Sequence, residues 1–357
     1  MTDDERYMAR ALELARSPQR PSPNPRVGAV VVRDDRVIGE GAHFGSGHDH
    51  AEAMALDGID ASGATLYVNL EPCNHTGKRP PCVPLVSASG VGRVVIAHAD
   101  PDERVAGRGI AHLRAAAVDV TVGVAEAAAR RLNAPYIWHR ATGRPWLTLK
   151  LAMSLDGRMA APDGSSRWIT GTPARRWVHR RRAEADVVLV GAGTVLADDP
   201  SLTSRLGENI VQPLRAVIDG RGSIDAGAKV FDDAAETLIV TTSGTHEAQL
   251  AWKEAGAEVV VLPADGRDVD LGGLLDLLGR RGVLEVYCEG GAGLATALLA
   301  DGLPNRLEFF YAPMLLGGRG PALGELGLTT IAEAQRFETV DVERFGDDVL
   351  MIMERVA

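Results

Sequence analysis

A stretch of 33 residues, from His50 to Cys82, concentrates side chains that can bind a metal ion. His50 supplies an imidazole, Cys73 and Cys82 supply thiols, and Glu52 places a carboxylate two residues after the imidazole. A catalytic zinc ion typically takes three protein ligands of these types and keeps its fourth position for water. The residue types therefore predict a catalytic zinc site formed by His50, Cys73 and Cys82.

The order of these residues indicates which reaction such a zinc ion would serve. Zinc-dependent deaminases carry H-x-E followed later by P-C-x-x-C, and their glutamate moves protons without binding the metal. His50 and Glu52 fit the first half, but Cys82 comes nine positions after Cys73 instead of three. Zinc lowers the pKa of a bound water from about 15.7 to about 7. Glu52 could then move protons to a ring nitrogen and to departing ammonia.

Two other interpretations of the cysteines stay open at this point. A structural zinc would need a fourth protein ligand, and His43, His48 and His75 are candidates. The two thiols could also be core cysteines without a metal, although a loop of polar residues and prolines is a poor place for them. A disulfide scaffold is not expected, because the chain has only three cysteines, the third being Cys288.

Length and composition limit the class of protein. A chain of 357 residues exceeds what one hydrophobic core usually serves, so two domains are expected. No apolar run approaches the roughly 20 residues of a membrane span. The start, MTDDERYMAR, is charged and lacks an apolar signal core, which predicts a cytoplasmic protein.

The charge distribution argues against a nucleic-acid partner. Residues 1–145 hold 17 basic and 17 acidic side chains, so the remaining residues carry the whole net charge of −10. A protein that binds polynucleotides should show a basic surplus, because neutralising phosphates supplies most of the non-specific affinity. Neither half has this surplus, so a small-molecule substrate is expected.

Hydrophobic periodicity predicts an α/β fold in the first half. Strands at VGAVVVR and RVIGEG, joined by Asp34-Asp35, predict a hairpin, and further strands follow at ATLYVNL, RVVIAHA and VDVTVGV. Helices are expected at residues 3–16, after His50, from Cys82, near Ile110–Ala117 and over Ala125–Arg140. This alternation predicts a mostly parallel sheet covered by helices.

A linker at ATGRP, ending at Pro145, predicts a domain boundary. Beyond it the α/β pattern begins again, with strands at WLTLKLAMSLDG, ADVVLVG, RAVID, TLIVTT, EVVVL, LEVYCEG and RLEFFYAP. Residues 337–356 predict two more strands around a Gly346-Asp347 turn. The expected domains are residues 1–144 and 145–357.

The motifs SPNPRVGAVVV, HAEAMAL and LEPCNHTGKRPPC resemble the RibD family of bifunctional riboflavin-biosynthesis deaminase–reductases, whose long loop between the thiols matches the spacing here. The resemblance implies a cytidine-deaminase-like three-layer domain over residues 1–144, with His50, Cys73 and Cys82 as ligands of one zinc ion and Glu52 as proton donor and acceptor. It also implies that Asn24 contacts the pyrimidine edge, although Asn24 could be an ordinary turn residue between prolines. Lys78 and Arg79 could meet a substrate phosphate or simply be solvated.

The resemblance continues through KLAMSLDGRMA, SRWITG, RRAEADVVLVGAGTVLADDPSLTSR, EGGAGLATALLADG and APMLLGG, which are similar to the family's reductase domain. This similarity implies a dihydrofolate-reductase-like fold over residues 145–357 that uses NADPH. Residues implied to bind substrate are Ser166, Arg182, Leu202, Arg205 and Glu289. Residues implied to line NADPH are Met153, Trp168, Thr194, Asp198 and the turn Gly291, Ala292, Gly293, Leu294, Ala295, Thr296 and Ala297.

Without the family, the support for a nucleotide site in the second half is weak. No G-x-G-x-x-G follows a strand, and the EGGAG between a strand and a helix start could be a plain tight turn. Most arginines of ARRWVHRRR are expected on a solvated face with i,i+4 partners, while one or two of them could bind a phosphate. Trp168 could be a core residue and Asp198 a helix cap. Lys150 and Asp156 are both candidates for the reductase proton donor.

Together these expectations describe an enzyme with two reactions on a phosphorylated pyrimidine. Residues 1–144 would deaminate 2,5-diamino-6-ribosylamino-4(3H)-pyrimidinone 5′-phosphate, and residues 145–357 would reduce the product with NADPH. Family members tend to self-associate, so a homo-oligomer is expected. The alternatives are a nucleoside or tRNA deaminase with an accessory domain, which should show a basic groove and the short thiol spacing, and a zinc-stabilised binding protein, which should tolerate Glu52→Gln.

Overall fold

The computed structural model describes residues 1–16, 20–207, 210–265, 268–317 and 321–356. The chain forms two compact units, Met1–Gly143 and Arg144–Ala357, which divide one residue before the predicted boundary. Gly318, the last residue of APMLLGG, lies outside the described residues. No helix among the described residues is long and apolar enough to cross a membrane.

Unit 1 is built on a five-stranded sheet with the order β2-β1-β3-β4-β5. The strands are β1 (Gly28–Arg33), β2 (Arg36–Ala42), β3 (Thr65–Val68), β4 (Arg93–Ile96) and β5 (Asp119–Val122). The sheet is mixed, because β1 pairs antiparallel with both β2 and β3, whereas β3, β4 and β5 pair in parallel. The expectation of a mostly parallel sheet therefore fails at β1, which runs against the other four strands. Asp34 and Asp35 have φ of 50° and 58°, which suits a tight turn that returns β2 directly along β1.

Six helices cover both faces of this sheet. They are α1 (Asp3–Ala15), α2 (Ala51–Leu56), α3 (Cys82–Ala88), α4 (Arg108–Ala115), α5 (Glu126–Leu132) and α6 (Ala134–Thr142). The buried face of α1 has the spacing that a helix predicts, and it packs with α5 residues on one side of the sheet. Its residues are Tyr7, Met8, Ala11, Leu12 and Ala15. Residues of α2, α3 and α4 form the core on the other side. The predicted three-layer arrangement is therefore confirmed.

The helix predicted over Ala125–Arg140 is interrupted. The structure has α5 and α6 in its place, with Asn133 between them and Pro135 in the first turn of α6. Proline lacks an amide hydrogen and clashes with the preceding turn, so it is tolerated at a helix start and not in a helix interior. The Asn133 side chain accepts a hydrogen bond from the Arg26 amide (2.8 Å) and donates one to the Arg26 carbonyl (3.0 Å).

Unit 2 is built on a nine-stranded sheet with the order β10-β9-β8-β7-β13-β6-β14-β16-β15. Its strands are β6 (Trp146–Ser154), β7 (Val187–Gly191), β8 (Leu214–Ile218), β9 (Thr237–Thr241), β10 (Glu258–Val261), β13 (Glu285–Cys288), β14 (Arg306–Ala312), β15 (Phe337–Phe345) and β16 (Asp348–Arg355). A separate two-stranded ribbon joins β11 (Ala264–Asp265) and β12 (Asp268–Val269). The strands from β10 to β14 in this order are parallel, and β15 and β16 form an antiparallel edge.

Helices cover both faces of the second sheet. They are α7 (Thr172–Glu184), α8 (Ala192–Asp198), α9 (His246–Glu254), α10 (Leu271–Arg280) and α11 (Ala292–Ala300), with 3-10 turns at Lys229–Phe231 and Ile331–Glu333. Residues of α7 pack against Tyr287 and Phe310, while α10 and α11 form a core with the opposite side of β6. Strand β13 lies between β7 and β6, so the connections that leave the neighbouring strands run to opposite sides at this point. In parallel sheets such a point leaves a crevice outside the carboxyl ends of the strands.

The hairpin and α2 approach each other closely at Gly41. A Cβ added at Gly41 would overlap the Ala51 carbonyl oxygen and would lie 2.8 Å from the Ala55 amide nitrogen. We therefore expect Gly41→Ala to lower the free energy of unfolding by about 1–3 kcal/mol, the usual cost of overpacking. Gly92→Ala is the matched control, because its nearest neighbouring atom would be 3.7 Å away. Urea unfolding of both variants checks this, and equal midpoints would contradict it.

Candidate functional site

The three predicted metal ligands of unit 1 converge. His50 precedes the first residue of α2, Cys82 is the first residue of α3, and Cys73 follows β3 in the intervening loop. The His50 Nδ1 atom lies 3.2 Å from the Cys82 sulfur and 3.4 Å from the Cys73 sulfur. All three potential ligand atoms lie within 4.8 Å of one another.

This spacing fits a tetrahedral zinc ion. With zinc–sulfur distances near 2.3 Å and zinc–nitrogen distances near 2.0 Å, a tetrahedral ion separates a nitrogen and a sulfur ligand by about 3.5 Å. The two observed nitrogen–sulfur distances are 3.2 and 3.4 Å. Among the described residues no other histidine, cysteine or acidic side chain joins this cluster, so His43, His48 and His75 lie outside it. The set therefore suits an ion with one open position.

The protonation of the ligand set also favours a cation. A hydrogen bond from the Cys82 thiol, helped by one from His50, lowers the pKa of Cys73 to about 4. The Cys82 amide also donates to the Cys73 sulfur at 3.3 Å. The same contact raises the pKa of Cys82, because the Cys82 thiol keeps its proton and donates it in a hydrogen bond to the Cys73 sulfur. The cluster therefore holds a thiolate at neutral pH, which is the form that binds metals.

Glu52 is buried beside these ligands. It lies in the first turn of α2 and is 3% exposed. Burial, followed by the negative charge of Cys73, raises the pKa of Glu52 to about 7. A carboxyl group with a pKa near the working pH can both accept and release a proton during a reaction. The predicted proton shuttle is therefore placed next to the predicted metal.

Asn24 faces the same cleft, and His43 fixes its orientation. The Asn24 Nδ2 group lies 2.9 Å from His43 Nε2, and His43 Nδ1 lies 3.0 Å from the Asp49 carbonyl oxygen. A carbonyl only accepts, so Nδ1 carries the proton and Nε2 accepts from the amide of Asn24. Burial lowers the pKa of His43, which favours this neutral form. The Oδ1 atom of Asn24 is left as the acceptor for a ligand.

The cleft around these residues includes groups that the sequence analysis missed. These residues come from the loop after β4 and from α6: Asp100, Asp102, Arg104, Tyr136 and Arg140. The charged run ADPDER directly follows β4, whose parallel neighbour β3 leads to Cys73. Because ligands bind outside the carboxyl ends of parallel strands, this run was the available signal.

A buried carboxylate holds that loop against the metal-ligand loop. Glu71 is 2% exposed and accepts hydrogen bonds from the amides of Asp100 (3.1 Å), Gly107 (2.9 Å) and Ile110 (3.1 Å). It lies two residues before Cys73, so the cleft's two sides are joined at one side chain. Lys78 is exposed, and Arg79 pairs with Asp49 at 3.0 Å.

In unit 2, several predicted cofactor residues meet where β7 and β13 end. Gly191 precedes α8 and Gly291 precedes α11, and the Gly291 amide donates to Thr194 Oγ1 at 3.2 Å. The first turns of two helices are thus adjacent, and their free amides favour an anion such as a pyrophosphate. Gly291 is the N-cap of α11, and the residues from Ala292 to Ala297 are helical, so the predicted turn is largely the first part of this helix.

The other predicted cofactor residues lie in varied surroundings. Met153 is 5% exposed and packs in the core. Trp168 is 65% exposed with the Arg175 guanidinium 4.4 Å from its ring centroid, so the alternative of a core residue is wrong. Asp198 ends α8 and lies 3.5 Å from Arg167, so it does not cap a helix start.

Two predicted substrate residues bind each other. Arg182 contacts Glu289 through Nε (2.5 Å) and Nη2 (3.0 Å) and donates from Nη1 to the Thr203 carbonyl (3.0 Å). Leu202 is 2% exposed, whereas Ser166 is partly exposed and Arg205 is exposed. Part of the Arg182 guanidinium is therefore occupied by protein groups.

The arginine run on α7 is only partly a solvated face. Arg181 is buried, and its guanidinium contacts Glu308 (2.9 Å), Glu285 (2.5 Å) and Glu184 (2.8 Å). The expectation of a solvated side chain is wrong for Arg181, because partners from two strands, distant in sequence, surround it. Arg180 does form the expected i,i+4 pair with Glu184, at 3.0 Å.

The two candidate proton donors of unit 2 differ in their surroundings. Hydrogen bonds from the Ser154 hydroxyl and from the amides of Leu316 and Gly317 lower the pKa of Asp156 to about 2. Asp156 is thus ionised and occupied at neutral pH. Burial lowers the pKa of Lys150, and its amine makes no hydrogen bond or ion pair with other described residues. Lys150 is therefore the better candidate.

The folds and sites together define the class of a zinc-type deaminase joined to a reductase. Residues 1–98 match the zinc-binding region of cytidine and deoxycytidylate deaminases, and residues 145–351 match the RibD C-terminal domain. Riboflavin biosynthesis protein RibD of Aquifex aeolicus is 39% identical over 355 residues, covering 99% of this chain and 98% of that protein. RibD of Escherichia coli is 40% identical over 364 residues, covering 98% of each.

Solved structures agree with this relationship. Acinetobacter baumannii RibD (form 1) superposes with a TM-score of 0.88 and 35% identity over 99% of both chains. The Thermotoga maritima diaminohydroxyphosphoribosylaminopyrimidine deaminase/5-amino-6-(5-phosphoribosylamino)uracil reductase gives the same TM-score of 0.88, with 35% identity over 99% of both chains. The chain belongs to the RibD family of bifunctional deaminase–reductases of riboflavin biosynthesis. It has a zinc-binding deaminase domain and a reductase domain.

If His50, Cys73 and Cys82 hold the metal, removing one thiol should weaken zinc binding. Losing an outer-shell partner of a metal site typically costs 10–100-fold in affinity, and a lost ligand should cost more. We expect Cys73→Ala and Cys82→Ala each to lower zinc affinity by more than about 100-fold in chelator competition. The matched control is Cys288→Ala, since this fully buried cysteine belongs to unit 2. Undiminished affinity in Cys73→Ala would contradict the assignment.

Proposed function

We propose that the chain performs two consecutive reactions on one phosphorylated pyrimidine. Unit 1 removes an amino group from 2,5-diamino-6-ribosylamino-4(3H)-pyrimidinone 5′-phosphate by hydrolysis. Unit 2 then reduces the product with NADPH to 5-amino-6-ribitylamino-2,4(1H,3H)-pyrimidinedione 5′-phosphate. The observation that carries the proposal is the convergence of His50, Cys73, Cys82 and Glu52 in a chain whose relatives match it over nearly its full length.

In unit 1, we assign one zinc ion per chain to His50, Cys73 and Cys82. When bound, zinc would lower the pKa of a water molecule enough to provide hydroxide, which can attack the ring carbon, near neutral pH. Glu52 receives the proton from that water and delivers protons to the ring nitrogen and to the leaving ammonia, so that an amino group and water become a carbonyl and ammonia. The buried position of Glu52 and its pKa near 7 support this role.

Substrate recognition in unit 1 follows from the orientation of Asn24. Its Nδ2 group is bound to His43, so its Oδ1 atom is directed to accept a hydrogen bond from an amino or ring N–H group of the pyrimidine. Among the cations of the cleft, Arg79 is paired with Asp49, and Arg104 with Asp102. We assign contact with the phosphate dianion to Lys78, which has no carboxylate partner among the described residues.

In unit 2, the adjacent starts of α8 and α11 are proposed to hold the pyrophosphate of NADPH. NADPH, when bound, supplies the hydride that reduces the anomeric carbon of the ribosylamine. The reaction also consumes one proton, which the Lys150 ammonium group can donate as the ribose ring opens. Glu289 and Arg182 lie beside Lys150 and are proposed to contact the substrate.

The remaining residues implied by the family stay proposals: Ser166, Leu202 and Arg205 for the substrate, and Met153, Trp168, Thr194 and Asp198 for NADPH. The exposed face of Trp168 and the contact of Thr194 with Gly291 support their inclusion. A cytoplasmic location and assembly into a homo-oligomer also stay predictions.

Replacing the proton shuttle should separate the two reactions. We expect Glu52→Gln to slow ammonia release by about 10²–10⁴-fold, because an amide cannot exchange protons with water and substrate. NADPH oxidation on the deaminated substrate should stay within about twofold of the unsubstituted enzyme, since Glu52 belongs to unit 1. Ammonia assay and absorbance at the nicotinamide band measure the two rates. Undiminished ammonia release would instead favour the zinc-stabilised binding protein.

The opposite separation is expected for Lys150→Gln. NADPH oxidation on the deaminated substrate should fall by about 10²–10⁴-fold while ammonia release persists. In the unsubstituted enzyme only the ammonium form donates, so the reductase rate should decline as pH rises through the lowered pKa of Lys150, below the ordinary value of about 10.4. Lys253→Gln, at an exposed position of α9, is the matched control. A Lys150→Gln enzyme with normal NADPH oxidation would exclude this residue as the donor.

A further inference from the structure

Lys150 lies between two carboxylates, only one of which borders the crevice of unit 2. Glu308, on β14, is the direct register partner of Lys150 on β6. On the other side Cys288 pairs with Leu149, so Glu289, the next residue, comes beside Lys150. Glu308 is 1% exposed, and its carboxylate accepts hydrogen bonds from Arg181 Nε (2.9 Å) and the Tyr287 hydroxyl (3.1 Å). It is therefore too enclosed to touch a substrate.

Consecutive arginines on α7 hold these two carboxylates, but they neutralise them unequally. Arg182 forms a one-to-one bidentate pair with Glu289. Arg181 contacts three acidic side chains, those of Glu308 and two further glutamates. Glu184 also pairs with Arg180, so two guanidinium groups face three carboxylates, and negative charge remains on the Glu308 side of Lys150.

The Lys150 amine itself makes no ion pair within 4.0 Å among the described residues, so its charge state is set by groups that it does not touch. A negative charge within about 4–6 Å favours an ammonium group, whereas burial disfavours it. The ionisable groups of the network around Lys150 come from one helix and three strands. Helix α7 supplies His179, Arg181, Arg182 and Glu184, and β13 with the residue after it supplies Glu285, Tyr287 and Glu289. Strand β14 supplies Glu308, and β15 supplies Glu343.

We propose that Glu308 is a positioning residue of the reductase reaction, which keeps the Lys150 amine in its proton-donating form from within the α7–sheet interface. The inference rests on the proposed role of Lys150. The proposal gives the buried cluster of Arg181, Glu308 and Tyr287 a role in catalysis as well as in packing. Helix α7 pairs Glu289 fully with Arg182 but leaves part of the negative charge of Glu308 without a counter-charge.

The test is the pH profile of NADPH oxidation on the deaminated substrate. Glu308→Gln removes the charge while Arg181 keeps two carboxylate partners, Glu184 and Glu285. We expect the basic limb of kcat to move to lower pH by about one unit, which is tenfold in rate on that limb, with KM changed less than about twofold. Loss of packing alone would change stability or KM without moving the limb.

Glu285→Gln is the matched control. It removes a carboxylate from the same arginine, but Glu285 lies opposite Trp146, four residues along the strand from the position of Lys150. Four residues correspond to about 13 Å between the backbones along the strand. Both carboxylates bind the Arg181 guanidinium, but only Glu308 acts directly on Lys150, so the limb should move clearly less in Glu285→Gln than in Glu308→Gln. An equal shift in Glu285→Gln and Glu308→Gln would overturn the proposal, as would an unmoved limb in Glu308→Gln.

A second variant, Glu308→Met, removes the same charge with an apolar side chain of similar length and should give the same shift if Glu308→Gln does not fold. An unmoved limb in Glu308→Met would equally overturn the inference. Failure of the proposed function is recognised separately, since Lys150→Gln would then retain NADPH oxidation. If Lys150→Gln loses NADPH oxidation and Glu308→Gln leaves the basic limb of the pH profile in place, only the role of Glu308 is excluded.

Discussion

The deaminase half depends on bringing one nitrogen and two sulfur atoms to within bonding distance of a common point. The three side chains come from two helix starts and a loop, so none of the sheet's own side chains supplies a ligand. Their positions follow from how closely α2 lies on the hairpin at Gly41 and from the amides that Glu71 gathers. Backbone packing that leaves no room for a methyl group thus positions the start of α2, where His50 lies.

The reductase half depends on charge and on a divergence of strand connections. The crevice opens where β13 is inserted between β7 and β6, and the first turns of α8 and α11 meet there. Below the crevice, α7 contributes two neighbouring arginines to different carboxylates. The proposed anion site at the strand ends and the proposed proton donor, Lys150 on β6, therefore depend on different helices of the unit.

Local patterns predicted much of this structure, and contacts between distant residues account for the failures. The buried face of α1, the hairpin and the strands of both units follow from periodicity and turn residues, and the ligand set from spacing and the resemblance. Periodicity could not show that Arg181 meets Glu308, 127 residues away, or that Asn133 binds Arg26, 107 residues away. It also missed Arg104 and Arg140, because nothing local shows that a loop and a late helix share one cleft.

The break at Asn133 has a consequence for the extent of the catalytic unit. Asn133 holds both backbone groups of Arg26, two residues after Asn24, and Tyr136 and Arg140 of α6 line the cleft itself. The loop that carries Asn24, the residue proposed to read the pyrimidine, is thus held by the residue that joins α5 to α6. A fragment that stopped after β5 would keep His50, Cys73 and Cys82 but lose these contacts, so the proposed recognition site extends to residues of α6.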